Sequence, residues 1–184
     1  GRAYQQKMNG AWGIYDVEDS ATGASALVER GLADPKRLVI MGGSAGGFTA
    51  LQSLVTKPNF YRAAVVRYGV ANQFMLVMDT HKFEARYSDV LLGALPDASD
   101  VYRQRSPLFH ADKIQDALLL FQGSDDTVVP QNQSDTLVEA LRMNSIPHEY
   151  VVYQGEGHGF RKPENVKDYY ERIVRFLAQM VIYV

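Results

Sequence analysis

Gly42-Gly43-Ser44-Ala45-Gly46-Gly47 contains the pattern G-x-S-x-G, and it lies between the apolar run Leu38-Val39-Ile40-Met41 and a segment of helical character. In that strand-to-helix context the pattern forms a nucleophile elbow, a sharp turn that lifts the serine hydroxyl clear of the sheet. The turn strains the serine backbone, and the flanking glycines remove side chains that would collide there. The competing reading is a glycine-rich turn that binds phosphate at a helix N-terminus. It lacks the lysine that a phosphate-binding P-loop requires.

A serine hydroxyl is a weak nucleophile and needs an adjacent base, itself oriented by a third group. Of the four histidines, His81 and His110 lie in a long connection and His148 precedes an apolar run. His158 stands directly after that run, in Gly155-Glu156-Gly157-His158-Gly159-Phe160. A loop leaving the C-terminal end of a parallel strand reaches the edge of the sheet where Ser44 must also lie. The orienting acid is expected after another apolar run, in Gln122-Gly123-Ser124-Asp125-Asp126-Thr127-Val128-Val129-Pro130. Chemistry alone leaves Asp125 and Asp126 as alternatives, since either could instead cap the turn. The order serine, aspartate, histidine is that of an α/β-hydrolase and differs from the other serine-triad folds.

The elements that must position these residues are legible as apolar runs. Ile14, Val17, Ala21, Ala24, Leu27 and Val28 recur at helical spacing, with Asp16, Glu18 and Asp19 in the first turn and Gly31 and Pro35 as the stop. Further helices are expected over 45–55 and 131–144. A last one runs from about Glu164 towards Val184, with Val166, Tyr170, Ile173, Val174, Leu177 and Val181 as its apolar stripe. Short apolar runs at 38–41, 63–66, 117–121 and 149–153 read as buried strands. Strands alternating with helices imply crossover units and a mostly parallel sheet flanked by helices, an α/β class. Residues 69–116 are too long for a simple connection and too rich in Tyr, Phe, Met and Leu for a linker. They read as a helical excursion over the end of the sheet where a substrate pocket would lie.

The 184 residues suffice for one domain, and 46% hydrophobic with 22% charged residues can bury a core. A net charge of -2 lacks the basic surplus that nucleic-acid binding needs. No apolar stretch approaches a membrane span and no signal peptide is visible, so no membrane partner is expected and the cytoplasm is the default. The absence of cysteine excludes disulfides, thiolate zinc sites and a cysteine nucleophile. No cofactor or metal is implied.

Taken together, Gly1-Arg2-Ala3-Tyr4, Trp12-Gly13, Asp16-Val17-Glu18-Asp19, Asp34-Pro35-Lys36-Arg37, the Ser44 motif, Ser106-Pro107, His110 to Ile114, the acid loop and Gly157-His158-Gly159-Phe160 resemble the catalytic domain of the prolyl oligopeptidase family. The likeness is strongest to its acylaminoacyl-peptidase and dipeptidyl-peptidase branches. It implies a serine peptidase that cleaves short peptides through an acyl-enzyme. The family's acid loop, H-G-x-x-D-x-x-V-P, implies Asp126 as the triad acid, with Gln122 standing where the family has histidine. It implies Ala45 N–H as one oxyanion donor, and Tyr87 (in Glu84-Ala85-Arg86-Tyr87) and Val129 as pocket residues.

Family members precede the Gly1 equivalent with further strands, an oxyanion segment and usually a β-propeller. The resemblance therefore implies that residues 1–184 are the C-terminal part of a catalytic domain, lacking its first strands and its second oxyanion donor. The strand at Leu38 would then lie near an uncovered edge through which a second copy could pair. Two rival readings are a carboxylesterase or lipase using the same triad, and an inactive fragment serving as an assembly module.

Overall fold

The computed structural model describes residues 1–79 and 86–183. Four strands, β1 (Val39–Gly43), β2 (Ala63–Arg67), β3 (Ala117–Gly123) and β4 (His148–Tyr153), pair in the order β1-β2-β3-β4, and every pair is parallel. The helices are α1 (Arg2–Gln5), α2 (Tyr15–Glu29), α3 (Ala45–Thr56), α4 (Gln73–Asp79), α5 (Tyr87–Leu92), α6 (Ser99–Gln104), α7 (Gln131–Met143) and α8 (Pro163–Leu177).

Period-2 alternation sends neighbouring strand residues to opposite faces. Ala64, Val66, Leu118 and Leu120 pack on Leu51 and Leu54 of α3 and on Leu137, Val138 and Leu141 of α7. Ala63, Val65, Leu119 and Phe121 pack on Tyr169, Ile173 and Phe176 of α8. With both faces covered, the inner strands can be apolar for most of their length, β2 from Ala63 to Val66 and β3 from Ala117 to Phe121. A third apolar cluster, including Trp12, Phe48, Leu91, Tyr102 and Val129, sits where the strands end.

Two stripes differ from the sequence expectation. On α8 the buried residues are Tyr169, Ile173 and Phe176, whereas Tyr170 and Val174 are 61% and 68% exposed. The ring of Tyr169 packs edge-on to Phe121 at 4.7 Å, and that contact sets the face which turns inward. The helix also ends at Leu177, and a π-helical turn over Ala178–Ile182 carries Val181 back to the core. On α2 only Val17 and Ala21 are buried, while Ile14 and Leu27 are exposed. This helix meets α3 along one narrow edge rather than the sheet. Strand β1 is an edge strand among the described residues, with Met41 49% exposed.

Candidate active site

Every parallel strand delivers its following loop to the same end of the sheet, and three of these loops converge. Ser44 follows β1 with φ 56 and ψ -123, a backbone conformation costly for a side-chain-bearing residue. Gly42 makes the turn possible, because a Cβ there would collide with the Gly46 carbonyl. The strain is held from outside the turn: Ser44 N–H donates to the Arg67 carbonyl at 3.1 Å, at the end of β2. Ala45 is the first residue of α3, where a backbone N–H has no intrahelical acceptor.

The loop after β3 carries Asp126, whose side chain is fully buried. Its Oδ1 accepts from Val128 N–H and Val129 N–H, each at 2.9 Å, and its Oδ2 accepts from His158 Nδ1 at 2.8 Å. With Nδ1 carrying the proton, the imidazole turns its Nε2 lone pair to Ser44, whose Oγ donates across 2.9 Å. Asp125 is elsewhere: its Oδ1 accepts from Ser124 Oγ at 2.7 Å. The Tyr68 ring packs on His158 with centroids 4.4 Å apart and the planes inclined at 50°. His148, by contrast, bonds the Ile146 carbonyl at the far end of β4, and His81 lies outside the described residues.

Two buried polar side chains that the sequence reading did not assign brace these loops. Glu156, 3% exposed, accepts from Arg161 N–H (2.9 Å), Lys162 N–H (2.8 Å) and Asn165 Nδ2 (2.9 Å), closing the histidine loop onto the start of α8. Burial works against its charge. The bonds from Asn165, Arg161 and Lys162, with the Lys162 ammonium, outweigh burial and hold the carboxyl below the usual carboxylate range. The Glu156 carbonyl accepts from Asp125 N–H at 2.9 Å and lies so close to Gly123 that a Cβ there would collide with it. Gln122 is fully buried beneath the acid loop. Glu156 stood in plain view beside His158, and only its contacts reveal its use.

A cavity of about 240 Å³ opens beside Ser44 and Ala45. Met8, Trp12, Val70, Leu76, Leu91 and Val129 give it an apolar wall, and Tyr87, Ser88 and Val128 complete it. Tyr87 and Val129 thus both face the cavity; Glu84 and Ala85 of the same segment lie outside the described residues. Trp12 is held from behind. Its ring packs on Phe48 at 4.4 Å, its carbonyl accepts from Arg105 Nη1 at 3.0 Å, and Asp16 ties the adjacent Gly13 N–H (2.6 Å) to Thr49 Oγ1 (2.6 Å) of α3.

A wider cleft of about 740 Å³ lies at the opposite end of the sheet, among Arg37, Arg62, Asp116 and Pro147. Burial raises the Asp116 carboxyl from 3.8 to about 6, against the opposing effect of the Asn59 backbone N–H. Among the described residues no cluster of three or more His, Asp or Glu side chains could hold a metal ion, and no helix is long and apolar enough to cross a membrane.

The chain matches the model of the prolyl oligopeptidase family over residues 1–182. It is 33% identical to dipeptidyl peptidase family member 6 of Caenorhabditis elegans, over 97% of this chain and 25% of that protein. It is also 33% identical to dipeptidyl aminopeptidase BIII of Pseudoxanthomonas mexicana, over 97% of this chain and 27% of that protein. The solved structure of a Mycobacterium tuberculosis puromycin-hydrolyzing peptidase superposes with a TM-score of 0.96 at 41% identity, covering 98% of this chain and 27% of that one. The fold is of the α/β-hydrolase type. The chain spans about a quarter of the length of the curated relatives it matches.

Proposed function

The chain belongs to the prolyl oligopeptidase family, and on that premise we propose that it carries the chemistry of a serine peptidase acting on short peptides. The observation that carries the reading is the continuous hydrogen-bonded line from Ser44 Oγ through His158 to Asp126, at 2.9 and 2.8 Å. His158 Nε2 takes the Ser44 proton as Oγ attacks the scissile carbonyl carbon, and the carbonyl oxygen becomes an oxyanion to which Ala45 N–H donates. The imidazolium then gives its proton to the leaving amine as the C–N bond breaks, which leaves an acyl-Ser44. Water repeats the sequence with His158 again as base, releasing the acid and free serine. Asp126 fixes the Nδ1–H tautomer and stabilises the imidazolium without itself taking a proton.

The apolar cavity beside Ser44 favours an uncharged side chain on the acyl side, since a charge would lose its hydration there without gaining a partner. Two relatives are named for dipeptidyl cleavage and one for puromycin hydrolysis, so short peptides with a free amine and aminoacyl amides are the first substrates to try. Turnover of free-amino dipeptide, N-blocked peptide and simple ester substrates should be compared for the protein and its Ser44→Ala variant. Amide turnover that disappears in a folded Ser44→Ala preparation is expected. Turnover retained there, or confined to esters, contradicts the proposal.

A further inference from the structure

We infer that Gln122 is a positioning residue which couples the triad acid to the pocket wall through one residue, Val129. This rests on the reading of Asp126 and the apolar cavity given above. The Gln122 amide is fully buried at the end of β3. Its Nε2 donates to the Val129 carbonyl at 3.0 Å and to the Gly123 carbonyl at 3.3 Å, while its Oε1 accepts from Ser134 Oγ of α7 at 2.8 Å. One side chain thus spans the acid loop from its starting strand to the helix that follows.

Val129 is the point at which this brace meets the chemistry. Its N–H donates to Asp126 Oδ1 at 2.9 Å, its carbonyl is held by Gln122, and its side chain lines the cavity beside Ser44. Pro130 follows, and a residue before proline is confined to extended backbone. With both flanking peptides held, Val129 cannot rotate about its Cα without moving the donor that aims Asp126 and the methyl groups that shape the pocket. Loss of the Gln122 donor frees that rotation and leaves a buried carbonyl without its partner. The acid's aim and the fit of the bound side chain then shift together.

The test is steady-state kinetics on two amide substrates that differ only in the side chain entering the cavity, phenylalanine or alanine. Gln122→Met keeps the bulk and removes both ends of the brace. It is expected to lower kcat about 10-fold on both substrates, and to raise KM about 5-fold for the phenylalanine substrate with little change for alanine. Ser134→Ala, which frees only the far end, should move both quantities in the same direction by less. A residue that merely supports the fold would lower the thermal midpoint and leave the KM ratio of the two substrates untouched.

Unchanged kcat and an unchanged KM ratio in folded Gln122→Met overturn the inference. If that variant does not fold, Ser134→Ala decides by the same criterion. Ser44→Ala run alongside separates the two failures. Turnover surviving in it sinks the mechanistic reading, whereas turnover lost in it with the brace variants unchanged sinks only the coupling.

Discussion

The loops after β3 and β4, which carry Asp126 and His158, and the helices α4, α5 and α6 between β2 and β3 lie at the same end of the sheet but are held mainly by different physics. In the first region each loop is closed by a buried polar side chain whose bonds go mainly to backbone, Gln122 under Asp126 and Glu156 beside His158. In the second, α4, α5 and α6 pack apolar side chains around Trp12, Phe48 and Tyr102, while buried polar bonds from Gln133, Ser106 and Gln52 fasten the backbone at 71–73 and at Gln104 rather than along the cavity wall. There Gln73 Nε2 and Oε1 and Tyr102 OH are buried without a hydrogen-bond partner. Directional bonds to backbone fix an atom's position to a few tenths of an ångström, and packing fixes a surface. Chemistry needs the former and a pocket that accepts a side chain needs the latter.

The comparison breaks most readily at Glu156. Replacing its carboxylate by glutamine puts an N–H donor against the Arg161 or Lys162 N–H, so Glu156→Gln should lower kcat about 10- to 100-fold through a displaced His158. It should also cost about 2 kcal/mol of stability. Because the folded Glu156 carboxyl lies below its usual range, its stabilisation is present above the unfolded value and lost as pH falls through the folded one. The thermal midpoint of the variant should therefore fall less steeply on acidification. Wild-type kcat in the variant would show that the bonded region is no more exacting than the packed one.

Trp12→Ala probes the packed region. With its ring removed from the cavity wall, KM for a substrate with a large side chain should rise about 10-fold while kcat stays within about threefold. A fall in kcat with KM unchanged would place Trp12 among the groups that aim the triad.

Asp116 lies at the end of the sheet remote from both regions. Its folded carboxyl titrates at about 6 against an ordinary 3.8, so the folded state holds the proton more tightly. The stability conferred by the neutral form is present at low pH and lost as pH rises through about 6, at a cost on the order of 1 to 3 kcal/mol above it. Asp116→Asn keeps an acceptor for Asn59 N–H. It should raise the thermal midpoint at neutral pH and flatten its dependence between about pH 4 and 6, with kcat unchanged. A midpoint that does not rise would remove the buried charge as its cause.

How far the sequence could be read follows the same division. Strands such as Leu118 to Phe121 are wholly apolar because both faces are covered, and that run is visible without coordinates. The elbow is visible because glycines mark a turn that other residues cannot make. The inward face of α8 was not legible, since Tyr169 and Tyr170 have equal hydrophobicity and only the Phe121 ring decides between them. Gln122 looked like a departure from the family's loop and proves to be its brace, because an amide's use depends on partners at positions 129 and 134. The apolar pocket wall draws on Met8, Trp12, Val70, Leu76 and Leu91, which no local pattern connects.

The central claim is that Ser44 is activated by His158 and Asp126. Intact mass after exposure to a fluorophosphonate tests it most directly, with Ser44→Ala as control. A single adduct, mapped to Ser44 and absent from the variant, is the predicted result. No adduct on a folded, fully assembled protein, or an adduct that survives in Ser44→Ala, would contradict it.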